Sequence, residues 1–260
     1  MPTALIVDDE PEANSLMAML VQLRGYRTVS ALNARDALDA LEHEEFDVVF
    51  LDLMLPDLNG FEVCRQIKSR PSTALTTVVI VTARVASENR TASFLHNADQ
   101  FVPKPYTPDQ IFEALDLADE LRLVHSSDRR TGSIPFEVDE ERETLRRLGQ
   151  LSSLLIARTP LPPERVALLI SILHGFFAQA EAWGLANRVG TIATLDYQAL
   201  EDRLVLTLRD HQGWLASWED SPDQTREVLT EIAAREFDEF EFQNDENRVH
   251  FVRLFNDEPR

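Results

Sequence analysis

In this 260-residue chain, five residues able to do chemistry stand at or just beyond the ends of successive apolar runs. Asp8 and Asp9 follow ALIV, Asp52 follows VVFL, Thr82 closes TVVIVT, and Lys104 follows FVP. If the runs are parallel strands, all five collect at their carboxyl ends, where open α/β sheets hold ligands. Three carboxylates gathered there repel one another and call for a hard cation. Mg²⁺ takes oxygen ligands and keeps some of its waters. Asp52, fixed at the edge of a buried run, is placed to act as a nucleophile. A phosphoryl group arriving on it would need its charge met by the metal and Lys104, with a hydroxyl donor from Thr82. The plainer alternative is a set of unconnected surface acids. It must explain why all these positions are filled, and why one of only two lysines in the chain (Lys68 and Lys104) is among them.

The elements that would position these residues are legible up to about residue 125. TALIVD, YRTVSA, DVVFLD, TVVIVTA and DQFVP read as buried strands. Helical patterns fall between or after them near 11–24, 34–44, 60–69, 86–97 and 108–124. Asn33 and Thr107-Pro108-Asp109-Gln110 are helix-start signals. Five such units predict an α/β domain, a flavodoxin-like, doubly wound parallel sheet over 1–125. SSDRRTGS (126–133) is small, polar and without pattern, and reads as a linker. Over 134–260 the expected order is a strand at FEV, a helix over 139–158, a TPLPP break and an apolar helix from about Pro163 to Trp183 that stops at Gly184. Strands near 188–197 and 203–209, a helix capped by Ser221-Pro222-Asp223-Gln224, and a hairpin around NDEN (244–247) complete it. That order predicts a two-layer α+β domain.

Composition narrows the function. Net charge is −20, with 20 acids against 10 bases in residues 1–125 and 25 against 15 in 126–260. Such a surface repels phosphate backbones, and no basic cluster is found along the sequence, so direct nucleic-acid binding is not expected. The apolar runs fall short of a membrane span, the N-terminus lacks the basic start of a signal peptide, and Cys64 is the single cysteine. A cytoplasmic protein without membrane contact is expected.

Asp8-Asp9, LDLMLPDLNG around Asp52, Thr82-Ala83 and Lys104-Pro105 together resemble the bacterial response-regulator receiver domain, from end to end of the first domain. The resemblance implies that Asp52 is the phosphoacceptor. It also implies that Asp8, Asp9, Asp52 and the Met54 carbonyl surround Mg²⁺, that Thr82 and Ala83 with Lys104 meet the phosphate, and that Phe101 is the switch aromatic. It implies a cis Lys104–Pro105 bond, a cognate histidine kinase or phosphotransfer protein as partner, and a homodimer as a reasonable assembly.

The second half resembles the ATPase-like domain of anti-sigma factors and the wider superfamily of histidine kinases, gyrase and heat-shock ATPases. The matching stretches are IPFEVDEERETLRRL, LLISILHGFFAQAEAWG and REVLTEIAAREFDEFEFQNDENRVHFVRLF. The site of that family does not carry over. Its glutamate and asparagine fall on Gly175 and Gln179, and its aspartate and glycine-rich loop on Asp210-His211-Gln212-Gly213-Trp214. No glycine lies beyond Gly213. The stretch RLVLTLRDHQGWLASW therefore reads as a strand followed either by a remnant of a nucleotide loop or by a plain turn. ATP binding is not expected, and neither is enzymatic activity beyond phosphorylation and dephosphorylation at Asp52. The expected output is binding of a signalling protein by a degenerate domain; the alternative is a receiver-gated, ATP-dependent protein kinase or phosphotransferase. His174 reads as a core histidine, and Trp183, Trp214 and Trp218 read as core residues, with partner contact as the alternative for Trp214 and Trp218, which fall on an expected loop. The acids of EFDEFEFQNDEN read as a solvated strand face, with an acidic docking edge for a basic partner as the alternative.

Overall fold

The computed structural model describes residues 1–83, 97–126, 130–138, 140–219, 224–243 and 247–255. The helix expected over 86–97, His96, the cap at Ser221–Asp223 and most of the NDEN turn lie outside them. The chain divides into two compact units, Met1–Asp128 and Arg129–Arg260.

In the first unit, β1 (Thr3–Val7), β2 (Arg27–Ala31), β3 (Val48–Leu51), β4 (Thr77–Thr82) and β5 (Gln100–Pro103) form a parallel sheet in the order β2-β1-β3-β4-β5. Every residue of β1, β3 and β4 is buried, as near-continuous apolar runs require when both faces of a sheet are covered. Helices α1 (Pro11–Leu23) and α4 (Pro108–Ser126) close one face over Ile6, Phe50, Val79 and Ile111. Helices α2 (Ala34–His43) and α3 (Gly60–Lys68) close the other over Leu5, Leu51, Val63 and Ile80. The expected start signals form as contacts. The Asn33 side chain accepts from Asp36 N, and Gln110 Oε1 accepts from Thr107 N at 2.9 Å, the reach-back half of a capping box.

The chain's other lysine is internal. Lys68 Nζ donates to Asp99 Oδ2 at 2.6 Å, both side chains being almost fully buried. The same carboxylate oxygen accepts from Val78 N at 2.8 Å. A buried pair of this kind is costly to break from one side, because the orphaned charge stays behind.

In the second unit, β6 (Thr131–Glu137), β7 (Thr191–Ala199), β8 (Arg203–Asp210), β9 (Glu239–Gln243) and β10 (Arg248–Leu254) form an antiparallel sheet ordered β6-β7-β8-β10-β9. The helices are α5 (Glu141–Arg158), α6 (Pro163–Asn187), α7 (Trp214–Glu219) and α8 (Gln224–Glu236). Leu204, Leu206 and Leu208 point inward, as their alternation predicts. Phe251 on β10 meets Phe176 of α6 edge-on, at 5.5 Å between ring centres.

Three expectations are corrected. Strand β6 begins at Thr131, so Thr131, Gly132 and Ser133 belong to the sheet and not to a linker; Ser133 is paired with Asp196 in the ladder. The long helix does not stop at Gly184 but runs to Asn187 and ends where Arg188 takes left-handed angles (φ 57°). Gly184 is a packing gap instead: a Cβ there would come within 2.6 Å of Val138 Cγ2 and 2.7 Å of Ile192 Cδ1. Trp214 is not on a loop but opens α7, and its side chain is 1% exposed. That burial agrees with the core reading of Trp214 and removes the partner-contact alternative, so only its loop placement is corrected. Helix α6 is also the one described helix long and apolar enough to cross a membrane by length and composition. Val166, Leu169, Phe176 and Phe177 of that helix are buried inside the unit.

Burial pushes the Cys64 thiol up to about 12, so at pH 8 it carries almost no thiolate, the reactive form. Ellman's reagent at pH 8 is expected to leave the folded protein unmodified and to titrate one thiol per chain in denaturant. Prompt reaction of the folded chain would contradict the packing of α3.

Candidate functional site

The carboxyl ends of β1, β3 and β5 bring together the residues singled out above. Lys104, after β5, donates from Nζ to Asp8 Oδ2 at 2.6 Å and to Asp52 Oδ2 at 2.5 Å. Asp8, Asp9 and Asp52 each place a carboxylate oxygen within 4.8 Å of the others. Asp8 and Asp52 are each 6% exposed, whereas Asp9 faces solvent. Thr82, at the end of β4, is fully buried, and Ala83 beyond it is exposed. Phe101 on β5 is 7% exposed, so its ring already lies inward. The Lys104–Pro105 bond is cis.

Two forces act on the Lys104 ammonium. Partial burial opposes its charge, but hydrogen bonds and charge from Asp52 and Asp8 outweigh it and hold the group above the ordinary lysine range. Lys104 therefore stays a cation throughout the physiological pH range. It neutralises one charge among three carboxylates, which leaves a net negative, all-oxygen donor set. That set fits Mg²⁺ in kind, with Asp8, Asp9 and Asp52 as donors.

The loop after β3 is built to hold the Asp52 side chain in place. Asp52 Oδ1 accepts from Met54 N at 3.0 Å, which turns the other oxygen to Lys104. Asp57 Oδ1 and Oδ2 accept from Ala34 N and Arg35 N, both at 2.9 Å, tying the loop to the start of α2. Asn59 caps α3 through Phe61 N.

Two residues essential to this geometry were not picked out by sequence reading. Asn14, buried on the inner side of α1, donates from Nδ2 to the carbonyls of Ile6, Asp8 and Ala31 at 3.1–3.3 Å. It fixes the backbone that aims Asp8. An amide on the apolar stripe of a helix is the signal that could have found it. Gly60 is the second. Its amide donates to Leu53 O at 3.1 Å, and a Cβ there would stand 2.3 Å from Asp52 O and 2.7 Å from Leu53 Cα. Both neighbours are backbone and cannot rotate away. The asparagine-glycine pair at the end of LDLMLPDLNG is the sequence sign of that close approach.

The second set of positions builds no comparable site. Gly175 and Gln179 lie one turn apart on α6, and a Cβ on Gly175 would meet Leu229 Cδ2 of α8 at 2.6 Å. The glycine sits where α8 approaches α6. Asp210 is 7% exposed, and its carboxylate serves its own turn. Oδ1 accepts from Gln212 N and Gly213 N at 2.8 and 2.9 Å, and Oδ2 from Leu215 N at 2.9 Å. Gly213 has φ +85°, a conformation side chains disfavour. Asp210–Gly213 is thus a capped turn that starts α7. Of the two tryptophans beyond it, Trp214 fills the core.

Residues 4–116 match the model of the response regulator receiver domain. Over 111 residues the chain is 35% identical to the transcriptional regulatory protein TcrA of Mycobacterium tuberculosis, covering 43% of each chain. The matched segment is thus less than half the length of that relative. The response regulator MprA of Mycolicibacterium vanbaalenii is 28% identical over 221 residues, 79% of this chain and 93% of its own. A solved CheY-like receiver domain protein of Methanospirillum hungatei is 26% identical, with a TM-score of 0.45 over 48% of this chain and 98% of that one.

Replacing Gly60 by alanine forces apart the loop that carries Asp52. Overpacking against immovable backbone costs about 1–3 kcal/mol, so urea unfolding of Gly60→Ala is expected to show a lower midpoint for the N-terminal unit. An unchanged midpoint would show that the loop has slack.

Proposed function

We propose that this chain, whose N-terminal unit is a response regulator receiver domain, is a phosphorylation-controlled regulator of a two-component system. It accepts a phosphoryl group on Asp52 and signals through a protein-binding, non-catalytic C-terminal unit. The observation that carries the reading is the double hydrogen bond of Lys104 to Asp52 and Asp8 beside the carboxylate cluster.

The chemistry follows from how Asp52 is held. Met54 N and Lys104 Nζ fix its two oxygens, so the carboxylate meets an incoming phosphoryl group in one orientation. A carboxylate oxygen attacks phosphorus, the bond from phosphorus to the donor breaks, and the donor leaves with its electron pair. The product is an acyl phosphate on Asp52. Mg²⁺, held by Asp8, Asp9, Asp52 and the Met54 carbonyl, would supply charge neutralisation at the phosphoryl oxygens. Lys104 shifts its contact from the carboxylate to the new phosphoryl oxygen. Thr82, at the end of β4 with Ala83 beside it, would offer its hydroxyl to the phosphoryl group. Phe101 is buried already, so the response would lie in how Thr82 and its strand end settle around the phosphate rather than in an inward swing of the ring.

In the second unit the order is strand, two helices, two strands, two helices and hairpin; the short helix α7 is an addition to the order read from the sequence for an anti-sigma-type ATPase domain. Packing supports an output without catalysis. Gly175 lies against Leu229, Asp210 is committed to its own turn, and Trp214 fills the core. Gly175 and Trp214, where a nucleotide site would need an acid and open space, serve the packing instead. A cognate histidine kinase or phosphotransfer protein upstream, and a signalling protein downstream, are the partners this reading requires.

Acetyl phosphate with Mg²⁺ is expected to change the amide-exchange pattern around Thr82 and Phe101 in the wild type and to leave Asp52→Asn, a near-isosteric variant, unmoved. Identical responses would contradict the switch. Calorimetric titration of the intact chain with ATP and Mg²⁺ is expected to show no saturable heat; saturable binding would favour the kinase reading.

A further inference from the structure

The turn that carries Asp8 and Asp9 leads into α1 without a side-chain cap. Glu10, at the N-cap position, makes no such bond, and Pro11 has no N–H to be capped. The hold comes from inside the helix. Asn14 is 2% exposed, and its Nδ2 donates to Asp8 O at 3.3 Å, Ile6 O at 3.2 Å and Ala31 O at 3.1 Å. An amide buried that deeply needs protein partners for its hydrogens. Here all three partners are backbone carbonyls at or beside the ends of β1 and β2.

The two peptide units that flank Asp8 are fixed by different means. In the one before it, Val7 O accepts from Asp52 N at 2.9 Å and Asp8 N donates to Ala31 O at 3.2 Å, so the neighbouring strands pin both edges. In the one after it, the Asp8 carbonyl takes the Asn14 amide. This second unit is planar and joins Asp8 to Asp9, so its tilt sets how the two acids leave the backbone. The Asp8 side chain is engaged as well. Its Oδ1 accepts from Glu10 N at 3.1 Å and its Oδ2 from Lys104 Nζ at 2.6 Å. Release of the second unit would therefore free Asp9, which faces solvent, to drift from a carboxylate that stays in place.

We propose that Asn14 is a positioning residue of the carboxylate site. Through the peptide unit between Asp8 and Asp9 it holds the two acids in register for a divalent cation. It thereby sets how tightly Mg²⁺ is taken up and how much Mg²⁺ the phosphorylation of Asp52 requires. The inference rests on the reading of Asp8, Asp9 and Asp52 as the Mg²⁺ set of a receiver, and it adds a residue that belongs to neither the set nor the reacting groups. Donors ordered during folding need no ordering when the cation arrives, so a partner that orders them strengthens binding without touching the metal. A plain packing role makes a different prediction. Asn14 also ties α1 to the sheet, and if that were all, its loss would lower stability and leave cation affinity alone.

Three variants of the intact chain separate the two. Asn14→Leu keeps the size and removes the donors, and Asn14→Ser keeps a shorter donor and stands in where the leucine variant does not fold. Val21→Ala, at a fully buried apolar position of the same helix, sets the scale for plain destabilisation. Mg²⁺ is titrated into each while NMR follows the amides of the β1–α1 turn, and urea unfolding gives the stability. Half-saturating Mg²⁺ is expected to rise roughly tenfold or more in Asn14→Leu, the usual cost of losing a partner that orients a metal ligand. Asn14→Ser is expected to fall between it and the wild type, and Val21→Ala to unfold at lower urea with its Mg²⁺ affinity unchanged. With acetyl phosphate, the Mg²⁺ needed for half-maximal phosphorylation of Asn14→Leu should rise in step, while its rate at saturating Mg²⁺ changes far less. Equal affinity in the wild type and the Asn14 variants overturns the proposal, as does a loss in Val21→Ala as large as that in Asn14→Leu. A wild-type chain that takes up no Mg²⁺ contradicts the receiver reading itself. A wild type that binds Mg²⁺ and is phosphorylated, beside an unimpaired Asn14→Leu, keeps that reading and removes only the role given to Asn14.

Discussion

A single ammonium group organises the first unit. Lys104 reaches from the end of β5 to carboxylates at the ends of β1 and β3, strands that do not neighbour its own. Without a cation there, three aspartates whose oxygens lie within 4.8 Å of each other would repel the strand ends apart. With it, the cluster keeps enough negative charge to attract a metal. The rest of the unit can be read as support for that arrangement. Asn14 sets the backbone at Asp8, Met54 N turns the Asp52 carboxylate, Asp57 moors the following loop to α2, and Gly60 lets α3 begin against the loop's own backbone.

The two lysines of the chain illustrate how one interaction does different work in different surroundings. Lys68 and Asp99 are sealed in the core, where their pair joins the end of α3 to the start of β4. Lys104 is only partly enclosed and shares its charge between two acids, one of which, on the proposed function, takes on a phosphoryl group. A closed pair fixes structure, whereas an open one can exchange a carboxylate partner for a phosphoryl oxygen at little rearrangement. The second unit contains no lysine, and its ion pairs are made by arginine, whose planar fork suits two-point contacts on a sheet face.

Most of the first unit was legible because parallel strands announce themselves as short apolar runs, and the site residues occupy their ends. What escaped was backbone geometry: neither the carbonyl network around Asn14 nor the clash awaiting any Cβ at Gly60 has a periodic signature. In the second unit the strand alternation through Leu208 was legible, but the fate of Asp210–Gly213 was not, since an aspartate that caps its own turn and one that awaits a ligand are spelled alike. Gly184 misled for a related reason. Glycine past an apolar helix reads as a stop, while here it makes room for Val138 and Ile192 within the helix.

The central claim is that Asp52, oriented by Lys104 and Met54 N, is the residue that takes up phosphate. Intact-mass spectrometry of the chain after acetyl phosphate and Mg²⁺, followed by peptide mapping of the modified species, tests it most directly. The account predicts one phosphoryl group per chain, labile to alkali as an acyl phosphate is, and mapped to the peptide containing Asp52. A stable phosphate ester on a hydroxyl side chain, or no uptake by a chain shown to be folded, would contradict it.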